Sequence, residues 1–461
     1  MEAQGSSMDI IKELSISDTD SDFAEDMRFD KLEAPVTDVL ETPREPAAER
    51  LEGVLAACNA TKLQPGQSIL AFAKQMIEEH TLDDTFYVID LGLLARLHAH
   101  FVAAMPRVTP FYAVKCMPDR AIMAILAGLG TGFDCASPAE IDAVLSLGVP
   151  PERIIYAHPV KSPAQIRYAA ARSVALTTAD SPGEMAKLAR WHPTAKVLLR
   201  IRADDASALC CLGSKYGVDP GPAATAALSA AAALGVNIVG LSFHVGSASR
   251  NPQAFEVAIG LARGVFDMGA SLGLRNMHIL DIGGGFTAQV DAAGSSVMGI
   301  GGVPSVVNAA LATHFPPGCG YDIIAEPGRY FAEAVSTLLC AVNGKREHQT
   351  PNGRSTDYWL SDGLYGSFNG ILYDHLEPSP IALPISNIRD SYKAPESGAL
   401  VSLFGPTCDG ADVICRDVSN LPDLEVGDFV AFPKMGAYSW AGACNFNGFE
   451  AIWVKFFYVT T

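Results

Sequence analysis

The sequence predicts an α/β chain: a (β/α)8 barrel followed by a C-terminal β-sheet domain, with a disordered acidic N-terminal tail. Three observations carry that prediction. Eight apolar runs alternate with Ala- and Leu-rich segments of helical period over about 220 residues, the size of a closed barrel. Polar residues stand at or just past the ends of those runs. Beyond residue 336 the alternation stops, and short β-type runs are separated by Gly, Pro, Asn and Asp.

In chain order, residues 1–65 form the expected tail. Residues 1–50 hold 14 Asp/Glu against 5 Lys/Arg, half of the net charge of −18. High charge with few aromatics favours disorder, and an acidic start does not read as a signal or transit peptide. Residues 66–90, including Ser68–Ala73 and Phe86–Ile89, are expected as lead-in strands pairing with the C-terminal domain. Residues 91–335 form the barrel, whose strand candidates are Thr109–Lys115, Gly132–Ser137, Arg153–Pro159, Val174–Asp180, Lys196–Arg202, Val236–Gly246, Asn276–Phe286 and Asp322–Phe331. Residues 336–461 form the β domain. A doubly wound open sheet is the competing architecture, but it would spread eight strand ends along a crevice, whereas a barrel gathers them on one rim.

Composition excludes several classes of function. The acidic balance argues against nucleic acid and anionic membranes as partners. The uncharged stretch from Pro220 to Ser249 is broken by Pro222, Gly235, Asn237 and Gly240, and reads as a core helix followed by a core strand. The ten cysteines show no Cys-x-x-Cys pair and no matching His pair, so no metal site is expected. They fit a reduced, cytoplasmic protein.

The strand ends carry the chemistry. Lys115 closes Pro-Phe-Tyr-Ala-Val-Lys, where burial can lower an amine's pKa and suit it to Schiff-base formation, although a lysine snorkelling from a strand end also fits. Gly283, Gly284 and Gly285 follow a strand directly, leaving backbone N–H groups open to a phosphate, or simply making a tight turn. Glu326, Gly328 and Arg329 offer a carboxylate for a heterocyclic nitrogen and a guanidinium for a phosphate, or a local ion pair. His244 and Ser247 offer a ring to stack on a cofactor and a hydroxyl donor. Asp374 and Asp409 each present an acid among turn residues; converging, they would suit the distal ammonium of a diamino acid. Together these residues match the needs of pyridoxal 5′-phosphate.

The blocks Pro110–Cys116, Phe133–Ser137, Phe243–Ser247, Asp281–Phe286, Glu326–Tyr330, Tyr373–His375, Gly405–Asp409 and Gly436–Tyr438 occur in an order that resembles the eukaryotic ornithine decarboxylases, of the alanine-racemase-like, fold-type III class. The resemblance spans roughly Phe86 to Tyr458. It implies a head-to-tail homodimer and decarboxylation of L-ornithine to putrescine. Lys115 is then the Schiff-base lysine, Glu326 the partner of the pyridinium nitrogen and His244 the ring stacker. Ser247, Gly285, Arg329 and Tyr438 hold the phosphate, and Gly283, Gly284 and Gly328 also bind the cofactor. Asp134 and Arg200 line the site, supported by Glu140. Tyr373 and Asp374 contact the substrate from one subunit, while Cys408, as proton donor, and Asp409 come from the other. Met117, Ala248, Thr287–Ala288 and Ser439–Asn445 depart from the family pattern. A lysine or dual lysine/ornithine preference is the alternative, and an inactive, partner-binding paralogue like the antizyme inhibitors is the alternative of a different class. A regulatory protein partner is left unassigned.

Overall fold

All eight apolar runs become parallel strands of one closed barrel: β1 (Val108–Ala113), β2 (Gly132–Cys135), β3 (Ile154–Tyr156), β4 (Leu176–Ala179), β5 (Lys196–Arg200), β6 (Asn237–Ser242), β7 (Ile279–Asp281) and β8 (Asp322–Ala325). The last closes on the first, with Ile323 opposite Val108. This is a computed structural model, and it describes residues 47–460 apart from 204, 206, 211, 292–295, 351–352, 386–399, 420 and 452.

Local chemistry sets the alternation. Three successive helices, Pro138–Leu145, Pro163–Ala171 and Pro182–Trp191, open on a Ser-Pro pair. The serine side chain accepts the N–H three residues on, and proline supplies a helical φ where no donor is needed. Phe111, Ile155, Leu198, Val239 and Ile324 fill the barrel interior. Gly240 lets β6 and β7 approach: a Cβ there would lie 1.8 Å from the Ile279 carbonyl oxygen.

The C-terminal domain is a nine-stranded sheet built around the long strand Ser336–Thr350. The lead-in strand Phe86–Asp90 joins it, antiparallel to Ser336–Thr350 and parallel to Val454–Val459. Bonds beside the barrel mouth help tie this domain down. The Tyr438 N–H donates to the Cys116 carbonyl at 2.9 Å, and Lys455 pairs with buried Asp119 at 3.1 Å. Among the described residues no helix is long and apolar enough to cross a membrane; the uncharged stretch resolves into the helix Pro222–Ala233 and strand β6.

Two expectations are corrected. The tail assigned to residues 1–65 contains the helix Ala47–Ala57 and a short strand, Thr61–Lys62, while residues 1–46 lie outside the described residues. Val54 is fully buried, and the Arg50 guanidinium donates to the Gly128 carbonyl at 3.2 Å. Averaging charge over fifty residues hid the apolar stripe Leu51, Val54, Leu55, Cys58. Ser68–Ala73 is also no strand. Ser68 caps the helix Ile69–His80, accepting the Ala71 N–H, and Phe72, Ala73, Met76 and Ile77 bury one face at helical spacing.

Because Val54 is sealed against the core, Val54→Ala should lower the free energy of unfolding by about 1–3 kcal/mol. Urea denaturation of the full chain measures this, and a tail lying free of the fold would show no change.

Candidate active site

The C-terminal ends of the strands converge. Parallel pairing sets Ala113 of β1 opposite Asp134 of β2. Lys115, in the turn Val114–Cys116 just beyond β1, reaches Asp134 with its Nζ at 2.5 Å. Asp134 is buried, whereas 43% of the lysine side chain remains accessible. Burial by itself would lower the Lys115 pKa. The charges of Asp134, Tyr438 and Glu326 outweigh it and hold the amine above its ordinary value. That differs from the burial-lowered amine of the sequence reading: the surrounding acids decide the sign. Glu140 buttresses Asp134's strand by accepting the Ala136 N–H at 2.5 Å; burial, with Asp134 adding, pushes its carboxyl up to about 6.

Two further acids close the floor. Asp281, at the end of β7, accepts the Gly283 N–H at 2.8 Å. Burial pushes it up to about 7, with Glu326 as its close acidic neighbour. Burial, then the charges of Asp134 and Asp281, raises Glu326 well above the carboxylate range. A pair of this kind holds a proton between its members.

Above the acids lies a cradle. Gly283 (φ +65°) and Gly285 (φ +103°) occupy left-handed backbone, and a Cβ on Gly284 would lie 2.8 Å from His244 Nε2. Gly328 is equally constrained, its Cβ position lying 2.9 Å from Cys116 Cβ. His244 accepts the Gly246 N–H on Nδ1 at 3.0 Å. Burial, Arg200 and Lys115 hold its pKa well below the usual value, so the ring is neutral, with its proton on Nε2. Arg329 is buried. Its Nη1 donates to Glu333 at 3.0 Å, and its Nη2 donates to Ser247 Oγ at 3.1 Å and to both Asp374 oxygens at 2.7 Å. The Tyr438 ring packs on the guanidinium, 5.3 Å from Cζ to centroid. Arg329 Nε is buried with no partner.

The fold therefore brings Lys115, Asp134, Glu326, His244, Ser247, the four glycines, Arg329 and Tyr438 to one rim, with Arg200 at the end of β5 and Asp374 drawn in by Arg329. The local Glu326–Arg329 ion pair does not form: Arg329 pairs instead with Glu333, one helical turn on. Tyr373 is 75% exposed. Cys408 and Asp409 lie on an exposed loop, where the Cys408 N–H donates to Asn447 and Asp409 accepts from Tyr365. Sequence reasoning gave no role to Asp281 or Glu333; the signal for Asp281 was an acid ending a buried strand ahead of three glycines.

Residues 91–333 match the family described as pyridoxal-dependent decarboxylase, pyridoxal binding domain. The chain belongs to the pyridoxal-dependent decarboxylases. It is 44% identical over 377 residues to the ornithine decarboxylase of Rattus norvegicus, covering 80% of this chain and 79% of that one. To the antizyme inhibitor 2 of Xenopus laevis it is 42% identical, again over 80% and 79% of the two chains. Among solved structures, the Paramecium bursaria Chlorella virus arginine decarboxylase bound to agmatine superposes with a TM-score of 0.77 at 35% identity, covering 85% of this chain and 100% of that one.

The residues present fit the decarboxylase cofactor. The partnerless Nε of Arg329 is a buried cationic donor suited to a phosphate oxygen. Gly283 gives its N–H to Asp281, the glycine cradle beyond it lets the backbone approach a ligand closely, and Lys115 supplies a primary amine. The departures from the family pattern are accommodated around this set. Met117 is buried with its carbonyl accepting the Tyr112 hydroxyl, and Ala248 takes a left-handed φ of +49°, which a glycine adopts without strain.

The acid pair gives the cofactor-free decarboxylase a defined pH dependence. Asp281 titrates near 7 folded but near 3.8 when exposed, so the native state binds more protons across that interval and stability falls as pH rises from about 4 to 7. Asp281→Asn should flatten that decline. Urea midpoints of both proteins across the interval test it, and parallel slopes would refute the shared proton.

Proposed function

We propose that this decarboxylase acts on L-ornithine, releasing carbon dioxide and putrescine, with a site completed by a second copy of the chain. The observation that carries this reading is the single Arg329 guanidinium that faces Ser247 and Asp374 together, linking a phosphate clamp to an acid suited to a substrate ammonium.

In this reading Lys115 Nζ is the attachment point, and Asp134 keeps a proton available at that nitrogen. Ser247, Arg329, Tyr438 and the backbone of Gly285 hold the phosphate, and Gly283, Gly284 and Gly328 line the cofactor. Neutral His244 stacks on the ring face, and Arg200 lines the same wall. Glu326, paired with Asp281, meets the ring nitrogen. Bound pyridoxal phosphate supplies the electron sink that accepts the pair left by departing carbon dioxide. Asp374 and Tyr373 receive the distal end of the substrate. Asp374 favours a cationic end over a carboxylate-bearing one, which it would repel.

Cys408 and Asp409 belong to the same reading as contributions of the partner subunit. Their contacts within one chain are with Asn447, Tyr365 and Ala411, not with the Lys115 cluster. Cys408 then returns a proton to the reacting carbon, and Asp409 supplies the second negative charge for the distal ammonium. Cytoplasmic location rests on reading the ten cysteines, none in a Cys-x-x-Cys pair, as those of a reduced protein. The inactive-paralogue alternative has similarity to an antizyme inhibitor behind it, but Lys115, Asp134, Arg200, Arg329, Asp374 and Tyr438 are all present.

Carbon dioxide release from ornithine, lysine and arginine, measured side by side, should give the highest kcat/KM with ornithine; a preference for lysine would move the chain to the alternative. Lys115→Ala should abolish turnover and the visible absorbance of bound cofactor. Asp409→Ala should raise KM by about tenfold or more, the loss of one charge-assisted contact. Mixing these two variants should recover activity, because a mixed dimer keeps one site with both residues intact. Failure to recover would refute the shared site.

A further inference from the structure

Beyond β5 the chain makes a detour and returns to lie against the strand it left. Val218 forms a parallel bridge with Ile201; its N–H donates to the Arg200 carbonyl at 3.0 Å, and its carbonyl accepts the Arg202 N–H at 2.8 Å. Gly217 fixes the approach. It has φ +95°, its N–H donates to Asp180 Oδ2 at 3.0 Å, and a Cβ there would lie 2.9 Å from the backbone of Ile201 and Arg202. The residue delivered by this clasp is Tyr216, and neither the sequence motifs nor the proposed reaction gives it a role.

Its ring collects three neighbours. Arg200 Cζ lies 5.3 Å from the ring centroid, Lys215 Nζ lies 5.1 Å away, and the His158 ring meets it edge-on at 6.0 Å and 73°. Arg200 sits at the end of β5, where its charge acts on both His244 and Asp281. A guanidinium left loose there would sample many rotamers, because the arginine side chain has four rotatable bonds and high conformational entropy. Stacking on an aromatic face restricts it without neutralising its charge, as a carboxylate would. Among the described residues, Arg200 finds this ring and no carboxylate at ion-pair distance.

We propose that Tyr216 is a positioning residue for decarboxylation: its ring face holds Arg200 in place on the site wall beside His244 and Asp281. The inference rests on the reading of the rim as the cofactor site. It assigns the role to the ring and none to the hydroxyl.

The ring is removed in Tyr216→Ala and kept in Tyr216→Phe. Cation–π contacts of about 0.5–2 kcal/mol correspond to about 2- to 30-fold. Tyr216→Ala should lower kcat by a factor in that range and weaken pyridoxal phosphate binding, followed by absorbance titration of the cofactor-free full chain. Tyr216→Phe should restore both to within about twofold. Should Tyr216→Ala fold poorly, Tyr216→Leu fills the volume without a π face and should behave as the alanine variant is expected to. Arg200→Ala combined with Tyr216→Leu should then be no worse than Arg200→Ala alone. Wild-type behaviour of Tyr216→Leu, equal impairment of Tyr216→Phe, or additive losses in the double variant would each overturn the proposal. Absence of cofactor binding in the unaltered protein would instead refute the site reading itself.

Discussion

The strand ends of a closed parallel barrel crowd negative charge into one small volume, and the site depends on how that charge is balanced. Asp134, Asp281 and Glu326 are buried together at the mouth, and Glu140 stands behind them. Uncompensated, such a cluster would be costly, since each carboxylate loses its hydration. Lys115 neutralises Asp134 through a 2.5 Å contact, and a shared proton relieves the Asp281–Glu326 pair. The same balance gives the amine and the carboxyl pair affinities for protons far from those of free side chains. Such perturbation by burial plus a specific charge partner marks functional sites.

Arg329 plays the corresponding role for the upper half of the site. It is seated in the short helical turn after β8, braced by Glu333 from its own turn and by the Tyr438 ring from the C-terminal domain. It holds Asp374 and Ser247 with one nitrogen and leaves Nε unpaired. The Arg329 guanidinium is therefore one of the points where the barrel and the β domain meet, and the Tyr438–Cys116 backbone bond fixes the second domain beside the lysine turn. This explains why a chain with a complete barrel still needs its C-terminal sheet: without it, both the face that packs Arg329 and the acid facing it would be missing.

Much of this was legible in the sequence because the relevant signals are local. A strand running into three glycines, a lysine closing an apolar run, and a Glu-Pro-Gly-Arg turn each announce a strand end. The alternation announces a barrel that gathers those ends. The helix Ala47–Ala57 escaped notice because its apolar stripe lies beside an acidic segment whose charge dominates any wide average. Ser68–Ala73 was misread because a short apolar run is ambiguous between strand and helix, and the capping role of Ser68 decides it. Asp281 escaped because an acid's importance depends on which other acids the fold sets beside it.

The class of architecture, the division into barrel and β domain, and nearly all of the residue types the chemistry requires can be read from the amino-acid order alone. Period, capping residues and glycines act over a few positions, so they can be read without coordinates. How those residues are paired is set in three dimensions. Arg329 binds Glu333 and Asp374 rather than Glu326. Lys115 is held charged rather than lowered by burial. His244 takes a fixed neutral tautomer, and Tyr216 covers Arg200 from a clasp sixteen residues along the chain. Electrostatic partnership depends on distance and desolvation in three dimensions, and sequence separation carries neither.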